Sequence, residues 1–484
     1  MIMFKRGACL LICLLMCVTV LASCKTNGDD GKGSVETNVQ GDGAAFSTVR
    51  RQDYVEYEFK IMYFFGQDGH DNDFDAEKLT GEVLNDKVYA KDLMVKEAYN
   101  ISLTLDTMPS AELNTYIRNN SMVGDSPYDV YGINRNSMSL CCEGYFLDLT
   151  TLEDIDITQE WWDQKWIDSM AIHGSLFSLV GDFSIGTLQC LSCLCFNKDL
   201  FSDRHLTYPY ELVESGEWTY EKMLEYVKGV SVDLDEDYRY TAEDFYGITG
   251  WATEASYSLF YGSGFTFVKK DNKDALEISY STDTLTDVYN YVYRIWNTEN
   301  NFRLSGADSL HSQPWDIFKD DRALFLDTTL LKIGMFLSDM EANYGIIPTP
   351  KFNAQQQDYS SYSSYTIPMT CVPLNTADPQ RTGNIIEAFC TASYDNVTPD
   401  IFEIVTKLQN VKDPESAKMV DIIIRTKMFD PALWYDIPGY GTLCRAMLNS
   451  DSTNISSYIK GYAKNAPTKL KEINDLYLDA KNKK

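Results

Sequence analysis

Between residues 57 and 133 the hydrophobic period switches repeatedly between two and about 3.6, and no other feature limits the fold so tightly. "YEFKIMYFFG" (57–66) reads as a strand. "EVLNDKVYAKDLMVKEAYN" (82–100) places Val83, Leu84, Val88, Leu93 and Met94 at helical spacing. "ISLTLDTM" (101–108) is a strand with Ile101, Leu103 and Leu105 on one face. "AELNTYIRNNSM" (111–122) is helical, and "YDVYGI" (128–133) is a strand. Strand, helix, strand, helix, strand predicts a parallel α/β sheet. Ligands of such sheets sit beyond the carboxyl ends of the strands. Those ends run into "FFGQDGHDND" and "GINRNS", both polar and glycine-containing.

Further along, "TLQCLSCLCFNKDLF" (187–201) reads as a strand turning into a helix. In "GEWTYEKMLEYVKGV", Thr219 can cap a helix while Trp218 packs on Met223 as a hydrophobic staple. "TDTLTDVYNYVYRIWNTE" (282–299) carries Leu285, Val288, Val292 and Ile295 in helical register. "RALFLDTTL" (322–330) is a strand, "YGIIPTPK" (344–351) is a strand closed by prolines, and the C-terminal stretch is mostly helical.

The chain opens with Lys5 and Arg6, then runs almost wholly apolar from Ala8 to Ala22. That fits the apolar region of a secretory signal and falls short of the roughly 20 apolar residues of a membrane span. Leu21-Ala22-Ser23-Cys24 resembles the bacterial lipoprotein motif. The resemblance implies removal of residues 1–23 and a diacylglycerol on the Cys24 thiol, which becomes the mature N-terminus. Acyl chains contribute about 0.8 kcal/mol per buried CH₂, and two hold a protein stably on a membrane. Residues 24–53, rich in Gly, Asp, Ser, Asn and Thr, read as a flexible linker, with a reach on the order of 30 Å. The expected location is outside the cytoplasmic membrane, lipid-anchored, at the cell surface or periplasmic face.

With 42 Lys+Arg against 71 Asp+Glu, the formal net charge is −29, which argues against nucleic acid as a partner. Three cysteines (Cys9, Cys13, Cys17) leave with the signal. In "CLSCLCF", Cys193 and Cys195 share one face of a strand and Cys190 takes the other; no second Cys or His pair nearby completes a zinc site, so these read as core thiols. Asp233, Asp235 and Asp237 occupy positions 1, 3 and 5 of a calcium-loop pattern and Asp244 position 12. Tyr238 replaces the turn glycine, however, and the last position lacks the bidentate Glu. A solvated acidic loop is the reading, with no metal and no cofactor expected. His70, His173, His205 and His311 are scattered, and no H-E-x-x-H, G-x-S-x-G or Walker loop is present.

A family resemblance rests on several stretches in order. "CLCFNKDLFSDRHLTYPYELVESGEWTYEKMLEYVKG" has a strand ending in Phe-Asn-Lys, an apolar helix, a Pro and a Gly-x-Trp-Thr before a second helix. "DFYGITGW" (244–251), "RALFLDTT", "YGIIPTPK", "TIPMTCVPLNTADPQRTGNIIEAFC" and "NISSYIKGYAKNAPTKLKEI" follow. Together they resemble the family 1 extracellular solute-binding proteins of carbohydrate ABC transporters, the maltose-binding-protein-like group. The resemblance implies an α/β, two-lobed, periplasmic-binding-protein type II-like fold with a cleft between lobes and crossing hinge strands. The amino-terminal lobe would be 54–183 plus 368–408 and the carboxy-terminal lobe 184–367 plus 409–484, with crossings near 181–188, 365–369 and 406–413. It further implies a non-enzymatic monomer that captures a sugar or oligosaccharide by hinged closure and hands it to ABC permease subunits.

Sugars need flat aromatic platforms and planar polar groups. Aromatic residues in loop contexts are Phe65, Trp251, Trp434 and Tyr435; polar candidates are Asp68, Asn134, Arg135, Asp182 and Asp327. "EWWDQKW" (160–166) reads chiefly as helix packing. The rival reading is an extracellular glycoside hydrolase, which needs two carboxylates about 5–9 Å apart; a third is an orphan sugar-sensing or adhesive lipoprotein.

Overall fold

The computed structural model describes residues 46, 48–65, 74–121, 124–304, 313–399, 401 and 414–482. Cys24, Asp68 and the expected crossing at 406–413 lie outside them. The chain divides into two units, 1–44 and 45–484, and all that follows concerns the second.

Its first sheet has the order β12-β3-β1-β2. The central strand β1 (Tyr57–Phe65) runs parallel to β2 (Ile101–Pro109) and β3 (Val130–Ile133), as the alternating sequence predicts. The fourth strand, β12 (Met369–Cys371), arrives from far along the chain and pairs antiparallel with β3. Phe59, Ile61, Met62, Tyr63 and Phe64 are all buried, because β1 is covered on both faces. The Val83–Tyr99 helix connects β1 and β2; it starts on the Glu82 side chain and stops at Asn100, whose φ is +50°. Asn tolerates this left-handed conformation better than most residues.

The second sheet has the order β10-β4-β9-β5-β8. β4 (Ser192–Asn197) is antiparallel to β9 (Ala323–Thr329) and to β10 (Tyr344–Ile347). β5 (Tyr246–Trp251) is parallel to β9 and to β8 (Phe302–Leu304). Every residue of β4 and β9 is buried. Two small ribbons complete the strands: β6 (Val268–Lys270) with β7 (Leu276–Ile278), and β11 (Ser361–Tyr362) with β13 (Lys427–Met428).

The sequence reading needs one adjustment here. Residues Gly186–Gln189 form a helical turn, and β4 begins only at Ser192. The segment is passing from one sheet to the other, and its backbone groups are met by the 361–366 segment: Leu191 bridges Ser363, and the Ser364 N–H donates to the Cys190 carbonyl at 2.9 Å. Trp218 is fully buried and its indole N–H donates to the Pro348 carbonyl, while Thr219 caps the Tyr220–Val227 helix. The eight cysteines of the body are free thiols, all but Cys142 buried. Among the described residues, no helix is long and apolar enough to cross a membrane.

Candidate ligand-binding site

β5 ends at Trp251 and the Ala252–Gly262 helix begins at once. Its sequence, ATEASYSLFYG, is almost entirely buried, yet it contains Glu254. A carboxylate is rarely buried without a partner. One Glu254 oxygen accepts from the Ser364 hydroxyl at 3.2 Å. The other, Oε2, has no hydrogen-bond partner among the described residues. Burial raises the Glu254 pKa, while Lys332 and Arg445 nearby favour its charged form.

Asp327, at the carboxyl end of β9, extends the pattern. It is 1% exposed and neither of its oxygens has a partner among the described residues. Burial pushes its pKa well up; the adjacent Ser258 hydroxyl opposes this and the Glu254 charge adds to it. The buried hydroxyls of Thr249, Ser258, Tyr362 and Ser363 are also unpartnered among the described residues. An orphaned buried polar atom costs roughly 1–3 kcal/mol. A bound ligand or ordered water would satisfy this grouping of Glu254, Asp327, Thr249, Ser258, Tyr362 and Ser363.

Aromatic rings and cations share this region. The Tyr257 and Tyr261 rings lie 5.6 and 5.8 Å from that of Tyr362. The Tyr365 phenol pKa is raised, first by the Glu254 charge and then by burial. The Lys332 ammonium sits 4.7 Å from the Trp251 ring centroid, and Arg445 reaches Thr253 at 3.4 Å. Arg135, just past β3, donates from Nε to the Leu433 carbonyl at 2.7 Å and from Nη2 to Asp436 at 3.0 Å, while its backbone N–H donates to Tyr365. Segments leaving both sheets therefore meet at 362–365. Carboxylate and hydroxyl acceptors beside ring faces suit a ligand whose own hydroxyls both donate and accept.

Of the residues named from sequence, Trp251 and Asp327 fall in this cluster and Arg135 reaches its edge. Phe65 closes β1 opposite Pro109. Asn134 is fully buried and caps the following turn, accepting from the Asn136 N–H at 3.0 Å and donating to Ser110. Asp182 lies elsewhere, beside Trp161 and Trp162. Trp434 is not a loop residue but closes the helical turn Pro431–Trp434, capped by Asp430, and Tyr435 is the turn residue that follows it. Trp434 is 1% exposed, edge-on to Trp166 at 5.1 Å, and the Tyr435 hydroxyl bonds that of Tyr477. The sequence reading missed Glu254, Tyr257, Tyr362, Tyr365 and Arg445. The one available signal was a lone charge inside an otherwise apolar helix.

In the acidic loop, carboxylate oxygens of Asp233, Asp235 and Asp237 lie within 4.8 Å of one another. They are engaged by the loop's own N–H groups: Tyr238 on Asp233, Asp237 on Asp235, and Arg239 on Asp237.

No protein-family model and no curated protein matches this sequence. Solved structures do. The ABC substrate-binding protein Lmo0181 of Listeria monocytogenes, in complex with cycloalternan, superposes with a TM-score of 0.54 at 15% identity, covering 88% of this chain and 99% of that one. A cyclo/maltodextrin-binding protein complexed with maltotetraose gives 0.54 at 14% identity, with 88% and 97% covered. The fold is that of the ABC-transporter solute-binding proteins. A solute-binding protein from Thermotoga lettingae bound with α-D-tagatose gives 0.53 at 12% identity, covering 87% of this chain and all of the other.

Proposed function

We propose that this chain is the capture component of an ABC importer, a non-enzymatic protein that binds a sugar or oligosaccharide where segments from its two sheets meet. The observation that carries the reading is the cluster of unpartnered buried polar groups around Glu254 and Asp327, beside tyrosines, in a fold shared with proteins solved with cycloalternan, maltotetraose and tagatose. The lobes are 54–183 plus 368–408 and 184–367 plus 409–484. In support, the four strands of the first sheet all fall in the former and the five of the second all fall in the latter. Closure shifts the lobe equilibrium only as far as the sugar binds the closed state better. Cys24 is the lipid anchor and residues 25–53 the tether, which keeps the body near permease subunits at the outer face of the membrane.

A thermal-shift panel of mono- and oligosaccharides on the mature chain, with chromatography of the recovered glycan, tests this. The reading expects one glycan class to raise Tm and to come back unaltered. Shortened glycans with new reducing ends would make Glu254 and Asp327 a hydrolytic pair instead, and no response to any glycan would remove the sugar reading. For the anchor, Cys24→Ala should release the protein from the membrane fraction.

A further inference from the structure

A cavity of about 280 Å³ shares no lining residue with the Glu254 cluster. Its walls include Trp161, Trp162, Asp182, Tyr394, Thr398 and Lys427. The segment 161–163 lies flat against 180–182: the Asp163 N–H donates to Val180 and the Asp182 N–H to Trp161, both at 2.9 Å. The approach is so close that a Cβ on Gly181 would lie 2.4 Å from the Trp161 carbonyl oxygen. Both indole N–H groups are taken by the buried Glu387, at 3.0 and 3.1 Å. Both rings are thereby fixed; Trp162 is 1% exposed, and Trp161, 8% exposed, offers the cavity a strip of carbon surface beside Tyr394. Tyr394 stands edge-on to Trp161 at 6.1 Å, its hydroxyl held by Glu160.

The polar groups at this wall are only half used. Asp182 Oδ2 accepts from Thr398 at 2.7 Å, and the other oxygen has no hydrogen bond among the described residues. The Lys427 ammonium pairs with Asp163 at 2.6 Å and keeps two further N–H donors. The charges already compensate one another. Lys427 is matched by Asp163, and burial first of all pushes the Asp182 pKa up to about 7, with Thr398 and Lys427 opposing and Asp163 reinforcing. A charged ligand gains little here. A neutral one bearing adjacent hydroxyls can donate to the free Asp182 oxygen, accept from Lys427 and lay its CH surface on the rings. The volume is just under the roughly 300 Å³ at which small-ligand pockets begin, which is room for one ring and no more.

We propose that this cavity is a second carbohydrate site, taking a single neutral monosaccharide. Its walls come from both sides of the 181–188 passage between the sheets and from β13, so a bound ring braces that passage.

The test is calorimetric titration of the mature chain with D-glucose, D-galactose and D-mannose separately, repeated on Asp182→Asn and Glu254→Gln. At least one hexose should bind wild type and Glu254→Gln alike, and bind Asp182→Asn about three- to tenfold more weakly, the value of one ordinary hydrogen bond. If Asp182→Asn does not fold, Tyr394→Ala, which removes a half-buried wall, gives the same readout. Failure of all three hexoses to bind overturns the proposal. So does a hexose whose binding is lost in Glu254→Gln but kept in Asp182→Asn, which would place it in the first cluster and leave the sugar reading of that cluster intact.

Discussion

Glu254 and Asp327 are built at a cost to the fold, and this separates a binding role from a packing role. Removing charge from a buried carboxylate that lacks partners relieves desolvation. Asp327→Asn should therefore raise the Tm of the ligand-free chain while weakening glycan binding; calorimetry and thermal melts on one preparation show whether the two effects part. Glu254→Gln should weaken binding about 10- to 100-fold, the worth of a charge-assisted hydrogen bond. Trp434 behaves oppositely. Packed on Trp166 and Phe429 in the core, Trp434→Ala should cost about 3–5 kcal/mol of stability, read from chemical denaturation. Glu387 adds a pH dependence. Burial lifts its pKa from 4.5 to about 7, against the hydrogen bonds it accepts. The native state then keeps a proton that the unfolded chain releases. Its stabilising contribution is complete below the unfolded value and is lost as pH rises through the folded one. Tm should fall between about pH 5 and about pH 8, and less steeply in Glu387→Gln.

Elements were far more legible than residues. The β1–β3 unit, the 323–329 strand and the 282–293 helix are legible in the sequence: the helices repeat their apolar residues at helical spacing, while β1, β3 and the 323–329 strand are short apolar runs buried on both faces. Trp251, named as a loop aromatic, is the last residue of β5, and Asp327, named as a polar candidate, lies two residues before the end of β9. Glu254 was not, since the helix around it reads as core; its one sequence signal is a charge among apolar residues, and its unpartnered Oε2 shows only in the structure. The strand start at 192 was misread because the preceding turn depends on the 361–366 segment, more than 160 residues away. Trp434 looked like a loop residue because prolines and glycines flank a four-residue helical turn. Close approach at Gly181 gives an element-scale prediction. Gly181→Ala must push the 161–162 segment off its neighbour, costing about 1–3 kcal/mol as overpacking does, with a matching fall in Tm.

At the scale of the molecule, two sheets of mixed direction share one chain that passes between them at 181–192 and again at 361–369. Parallel alternation made β1, β2 and β3 predictable; the second sheet draws its five strands from five separate stretches between residues 192 and 347, and their order β10-β4-β9-β5-β8 was not visible in any local period. Under the proposed function, the body closes about these passages over a sugar and releases it unaltered. Small-angle X-ray scattering of the mature chain, with and without the glycan that raises its Tm, tests this most directly. A smaller radius of gyration with the glycan bound, absent in Glu254→Gln, is the predicted result. An unchanged radius at saturating glycan would contradict it.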